Sequence, residues 1–268
     1  SSDSYITGYT DQPVNMIVVA DSIFIRHLKP LIRWKLLKGI KTTLIYKIPG
    51  PADTVYSDLK TRISTVYASM LANGNPPQYL LIVGDPAIIP TARGTSNVSD
   101  LYYGEFDGEG DYIPELFIGR LPVADTTQLK AVVKKIIDYE TLNYAPGNNF
   151  WAGALVTAGN APGFENYMNG QVGYIYNNYL SKDASLNAHR WKYPESAVKD
   201  DSLKLLFNQG LSILNYTGHG EASGFSDPVF KVPNVSELTN KNEYPLIIAN
   251  ACRTAQINVA ACLGTDMV

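Results

Sequence analysis

Apolar runs of five to seven residues recur along the chain, too short to be helices, and most are followed by a stretch with helical spacing. "MIVVA" (16–20) reads as a buried strand before a helix over 23–39, and "TTLIYK" (42–47) as a second strand before a helix over 54–72. "YLLIVG" (79–84) and "ELFIGR" (115–120) read as third and fourth strands. Thr126 to Tyr139 carries a helical stripe of Leu129, Val132, Val133, Ile136 and Ile137. The pattern restarts after "NYAPGNN" (143–149). "GALVTA" (153–158), a helix over 165–180, "AHRWKY" (188–193), a helix over 196–208, "SILNY" (212–216) and "PLIIANA" (245–251) follow. Strands that are apolar throughout are strands buried on both faces. This predicts an α/β protein with mostly parallel sheets flanked by helices. The expected organisation is an N-terminal extension (1–15), a first subdomain (16–142), a linker (143–149) and a second subdomain (150–268) beside the first.

Composition narrows the function classes. Hydrophobic residues at 45% and charged residues at 18% belong to a folded globular chain. A net charge of −3 with scattered Lys and Arg argues against a nucleic-acid partner. The densest basic run, "RHLKPLIRWKLLKG", fits the solvent side of an amphipathic helix better than a membrane patch. No apolar run is long enough to span a bilayer. The opening "SSDSYITG" has neither an initiator Met nor a signal-peptide core and reads as a processed or trimmed start. Two cysteines make no disulfide framework, and with three scattered histidines they offer no zinc-ligand spacing.

In parallel α/β sheets, functional groups gather beyond the carboxyl ends of the strands. Two predicted strand ends carry reactive side chains. One is His219 in "NYTGHGE", framed by Gly218 and Gly220; the other is Cys252 in "IIANAC". Each has a bland reading: the glycines make a turn that His219 caps, and a lone cysteine is usually a small buried hydrophobe. Together they suggest a thiol nucleophile whose proton is taken by the imidazole. The backbone N–H groups of Gly220 and Cys252 would then face a substrate oxyanion. Cys262 has no glycine-framed histidine and reads as structural; His27 and His189 fall inside helix and strand patterns. "GEFDGEGD" (104–111) alternates Glu105, Asp107, Glu109 and Asp111 with other residues, a spacing that suits either a hard-cation loop or a solvated acidic turn.

The blocks "NYTGHGE" and "IIANAC", with "YLLIVGDPAIIP" and "SDLYYGEFDGEGDYIPELFIGRLPV" before them in the same order, resemble the gingipain-like cysteine peptidases, family C25 of the caspase-like clan. The resemblance implies a caspase-like fold and a secreted or surface bacterial endopeptidase. Cys252 would be its nucleophile and His219 its base, with Gly220 and Cys252 amides as the oxyanion hole. It implies a peptide or protein substrate laid beside a sheet edge, no cofactor for the chemistry, and structural calcium, for which Glu105, Asp107, Glu109 and Asp111 are the candidates. Three departures stand out. Where gingipains carry a His-orienting acid, this chain has Gly159 and Asn160, so Asn160 or Glu165 is the candidate for that role. Asn169 falls near the position of the acid that reads a substrate arginine. The chain ends soon after Cys252, so the second subdomain is expected to be completed by a second chain or to be incomplete. A sortase of the type IX secretion system on the same fold, or an inactive binding module, are the alternatives.

Overall fold

The computed structural model describes residues 14–47, 56–93, 98–108, 110, 112–142 and 149–267. Two compact units emerge, one running through Ile137 and the other from Asp138 to Met267. The expected linker lies, except for Asn149, outside the described residues, as do residues 1–13 of the expected extension.

The first unit holds β1 (Val14–Ala20), β2 (Ile40–Tyr46), β3 (Tyr79–Val83), the short antiparallel pair β4 (Ala92–Arg93) and β5 (Val98–Ser99), and β6 (Phe117–Leu121). Its main sheet runs β2-β1-β3-β6 with every pairing parallel. β1 is central, which is why its sequence is apolar without alternation. Met16, Val18 and Ala20 pack under α1 (Ser22–Leu37) and α3 (Thr126–Thr141); Ile17 and Val19 pack under α2 (Tyr56–Ala72) on the other face. Asp21 starts α1 by accepting the Ile23 N–H at 3.0 Å. Phe24, Leu28 and Leu31, four and three residues apart, form its buried stripe, and Arg26, Lys29 and Arg33 of the basic run face solvent.

The second unit holds β7 (Gly153–Ala158), β8 (Asn187–Trp191), β9 (Ile213–Thr217) and β13 (Leu246–Asn250), all parallel in the order β13-β9-β7-β8. α4 (Glu165–Asn178) covers Val156 and Ala158 on one face through Val172. On the other face Leu155, Leu214 and Tyr216 pack with Leu203 and Phe207 of α5 (Asp200–Asn208). That helix starts later than its apolar spacing suggested, because a 3-10 turn over Glu195–Val198 precedes it. Between β9 and β13 the chain makes a small antiparallel sheet of β10 (Gly220–Glu221), β11 (Gly224–Ser226) and β12 (Val229–Lys231), anchored in the core by Phe225 and Phe230. Short helices α6 (Val232–Val235) and α7 (Leu263–Asp266) complete the unit.

Candidate active site

Ala158, Thr217 and Asn250 end β7, β9 and β13 in a single register row. The ladder continues one step further: the Gly159 N–H donates to the Thr217 carbonyl at 2.8 Å, and the Gly218 N–H to the Asn250 carbonyl at 3.2 Å. Asn160, His219 and Cys252 each stand two positions beyond that row. Parallel pairing therefore brings the three to the same end of adjacent strands, in the order Cys252, His219, Asn160 across the sheet. The strand order reverses between β7 and β9, and it is outside such a reversal that α/β sheets bind ligands.

The two reactive loops touch. A Cβ on Gly220 would lie 2.9 Å from the Cys252 carbonyl oxygen, 2.7 Å from the Thr254 methyl and 3.0 Å from the Ala251 Cβ. Glycine is required there because the cysteine loop packs directly on the backbone that follows His219. The Cys252 thiol is free and exposed, and His219 is exposed as well. Among the described residues no hydrogen bond joins that thiol to the imidazole, and in unliganded sites such bonds are commonly long.

Backbone pairing also frees a donor. The Ser226 N–H bonds the His219 carbonyl at 3.2 Å, which makes Gly220 and Phe225 a non-hydrogen-bonded pair of the β10–β11 ladder. The Gly220 N–H consequently turns away from β11. Past the cysteine, Arg253 adopts a left-handed backbone at φ 60° and its Nε donates to Gln256 Oε1 at 2.6 Å. Such a conformation in a bulky residue is strained and is held by its surroundings. Here the Thr254 carbonyl, just beyond, accepts the Cys262 thiol at 3.2 Å and the Gly264 N–H at 2.8 Å. Cys262 is buried and so engaged, unlike Cys252. Next to Gly220, the Glu221 carboxyl is held below its usual range by its bond with the Lys231 ammonium, with smaller help from Ser223 and Arg253.

Asn160 is half-buried at the strand end. Glu165 opens α4 and accepts the Gly163 N–H at 3.0 Å. Asn169 clasps the Tyr193 backbone from both sides, its Nδ2 donating to the carbonyl and its Oδ1 accepting the N–H, each at 2.9 Å. His27 lies on α1, and His189 lies on β8 with a buried Nε2 that has no hydrogen-bond partner among the described residues. In the acidic loop Glu105 is buried and Asp107 exposed, while Glu109 and Asp111 lie outside the described residues. Asp85 accepts the N–H groups of Ala87 and Ile88, and Asp100 grips Arg120. Among the described residues no three acidic, His or Cys side chains gather as a metal ion requires, and two of the four candidate carboxylates stand outside those residues.

One buried residue under the histidine turn escapes the sequence reading. Tyr216, fully buried on β9, donates its phenol O–H to the His219 carbonyl at 2.6 Å. An aromatic three residues ahead of a glycine-framed histidine was the available signal.

Residues 9–268 match Peptidase family C25. The chain belongs to that family. Lys-gingipain HG66 of Porphyromonas gingivalis is 32% identical over 273 residues, covering 97% of this chain and 15% of that protein. Gingipain R2 of Porphyromonas gingivalis is 26% identical over 239 residues, covering 88% of this chain and 32% of its own length. Among solved structures, that of a protease superposes with a TM-score of 0.83 at 29% identity, over 96% of this chain and 56% of that one. The Arg-specific cysteine proteinase gingipain R superposes at 0.78 with 23% identity, over 96% and 59%. The C25 chain therefore has the α/β fold the sequence predicted, and spans a minor part of those curated relatives and little more than half of the solved chains.

Proposed function

We propose that this chain is a cysteine endopeptidase working through a Cys252–His219 dyad. The observation that carries the reading is the register of β9 and β13, which sets the imidazole and the thiol two residues past paired strand ends, with Gly220 seated on the cysteine loop. His219 takes the thiol proton, and the thiolate attacks the scissile carbonyl carbon. The carbonyl π electrons move to oxygen, where the N–H groups of Gly220 and Cys252 receive the negative charge. As the C–N bond breaks, His219 returns the proton to the departing amine. Water, deprotonated by His219, then hydrolyses the thioester and restores the thiol. Asn160, the neutral third member of the row, is the candidate for orienting the imidazole.

Substrate, location and partner belong to the same reading: an extended peptide, a secreted or surface setting, and further polypeptide, in this chain or a second one, that continues the sheet beyond β13. Leu246 and Ile248 on that edge strand are 48% and 46% exposed, which supports such a continuation.

The test is competitive alkylation with peptide cleavage followed in parallel. Iodoacetamide is expected to label Cys252 far faster than Cys262, and Cys252→Ala to abolish cleavage. Equal labelling of both thiols with activity retained in the variant overturns the reading. A ligated product on addition of a peptide amine would redirect it to transpeptidation.

A further inference from the structure

We propose that Tyr216 is a positioning residue for the reaction: its phenol fixes the height and tilt of the His219 loop over the end of β9. This rests on His219 acting as the base.

The chain folds back over its own strand to make this contact. Tyr216 precedes His219 by three residues, and the turn between them is so tight that a Cβ on Gly218 would fall 2.7 Å from the phenol oxygen. The same oxygen closes a second approach, because a Cβ on Gly159 would lie 2.9 Å from it and 2.8 Å from the Asp227 carbonyl. Three chain segments thus converge on one hydroxyl: the end of β7, the His219 turn after β9 and the end of β11. The hydroxyl donates to the His219 carbonyl at 2.6 Å and sits 3.4 Å from the Ser226 N–H, which bonds that same carbonyl. The ring is fixed as well, stacked on Phe225 with centroids 4.1 Å apart and planes 19° apart.

This arrangement suits a histidine that must itself stay exposed. An imidazole at a loop tip cannot be immobilised by packing without being closed off from substrate. Holding its main-chain carbonyl from below, with a buried donor on a rigid strand, leaves the ring open while fixing where it starts. Displacement of a catalytic group by about 1 Å can lower a rate roughly a hundredfold, so the tether is worth more to turnover than to stability.

The experiment compares wild type with Tyr216→Phe, which keeps the ring and its stack and deletes the hydroxyl. A peptide substrate is assayed across pH, Cys252 is titrated with a peptidyl electrophile, and unfolding is followed by circular dichroism. The expected result is a fall in kcat of about tenfold or more with KM within about twofold, a displaced acid limb of the pH profile, and stoichiometric titration of Cys252. Unchanged kcat and pH profile in Tyr216→Phe, whatever its melting temperature, overturns the positioning role while the dyad stands. Wild-type protein whose Cys252 is not titrated overturns the dyad and this role with it. Should Tyr216→Phe fail to fold, Gly218→Ala takes its place: it keeps the phenol but pushes the loop off it. The same loss of kcat supports the proposal and an unaltered kcat overturns it.

Discussion

Both main sheets are wound alike, with the second strand at one edge, then the first, third and fourth. Their carboxyl ends nevertheless hold groups in opposite conditions. In the first unit Asp21, Asp85 and Arg120 at those ends are engaged in the unit's own construction. Asp21 caps α1, and Asp85 caps the turn after β3. Arg120 on β6, 5% exposed, is gripped through two 2.7 Å bonds by Asp100 and also donates to the carbonyls of Gly84 and Ile89. In the second unit the equivalent positions carry glycines, an exposed imidazole and an exposed free thiol. One topology supplies two strand-end sites, and they differ in whether the side chains found there already have partners.

The largest effect that could break this contrast is on turnover. His219→Ala should lower kcat/KM by roughly a thousandfold or more, with little change in unfolding midpoint because the side chain is exposed. Asp85→Ala, at the matching end of β3, should do the reverse, leaving kcat/KM within about twofold and lowering stability by about 1 kcal/mol through lost turn hydrogen bonds. Peptide-cleavage kinetics and urea unfolding on the same preparations decide it. Activity lost through Asp85 would mean that the first unit's strand ends are not mere scaffold.

A second contrast concerns how the sheets are covered. Leu80 on β3 is 1% exposed and packs under α2, whereas Ile248 on β13 is 46% exposed. Leu80→Ala should cost about 2–5 kcal/mol in urea unfolding, as deletions in closed cores do. Ile248→Ala should cost less than about 1 kcal/mol in this chain taken alone. If the two costs are equal, the β13 face is covered in solution and the contrast between the sheets fails.

Much of this was legible in the sequence because its signals were local. Apolar runs such as Ile17–Ala20 and Ala154–Val156 located buried parallel strands, and the Leu129–Ile137 stripe located α3. His219 and Cys252 stood out since glycine and a strand end frame each one. What stayed hidden depends on register and on through-space contact. Nothing in the letters says that Asn160, His219 and Cys252 sit equally far past paired residues. The β10–β12 sheet escaped notice because strands of two or three residues carry no periodicity, and only packing of Phe225 and Phe230 makes them cohere. Asn169 stands out by position, and its amide is matched to the Tyr193 backbone, a partner no spacing could reveal.

The smallest expected effect is electrostatic and separates the same two regions at alkaline pH. Burial holds the Tyr216 phenol above the ordinary tyrosine value of 10.0, and the Asp227 carboxylate adds slightly to that, while bonds from the Ser226 and Asp227 backbone act the other way. The folded state therefore keeps this proton after the unfolded chain has released it. The phenol's contribution is complete below pH 10 and drains away as pH rises from there through the higher folded value. Tyr216→Phe should accordingly unfold with a shallower loss of stability above pH 10 than wild type, while Leu80→Ala keeps the wild-type slope, since no ionisable group is altered. The check is a pair of urea titrations at neutral and alkaline pH. Parallel slopes for wild type and Tyr216→Phe would mean that the hydroxyl under the histidine loop is hydrated in solution, and its hold on the His219 carbonyl would be correspondingly weak.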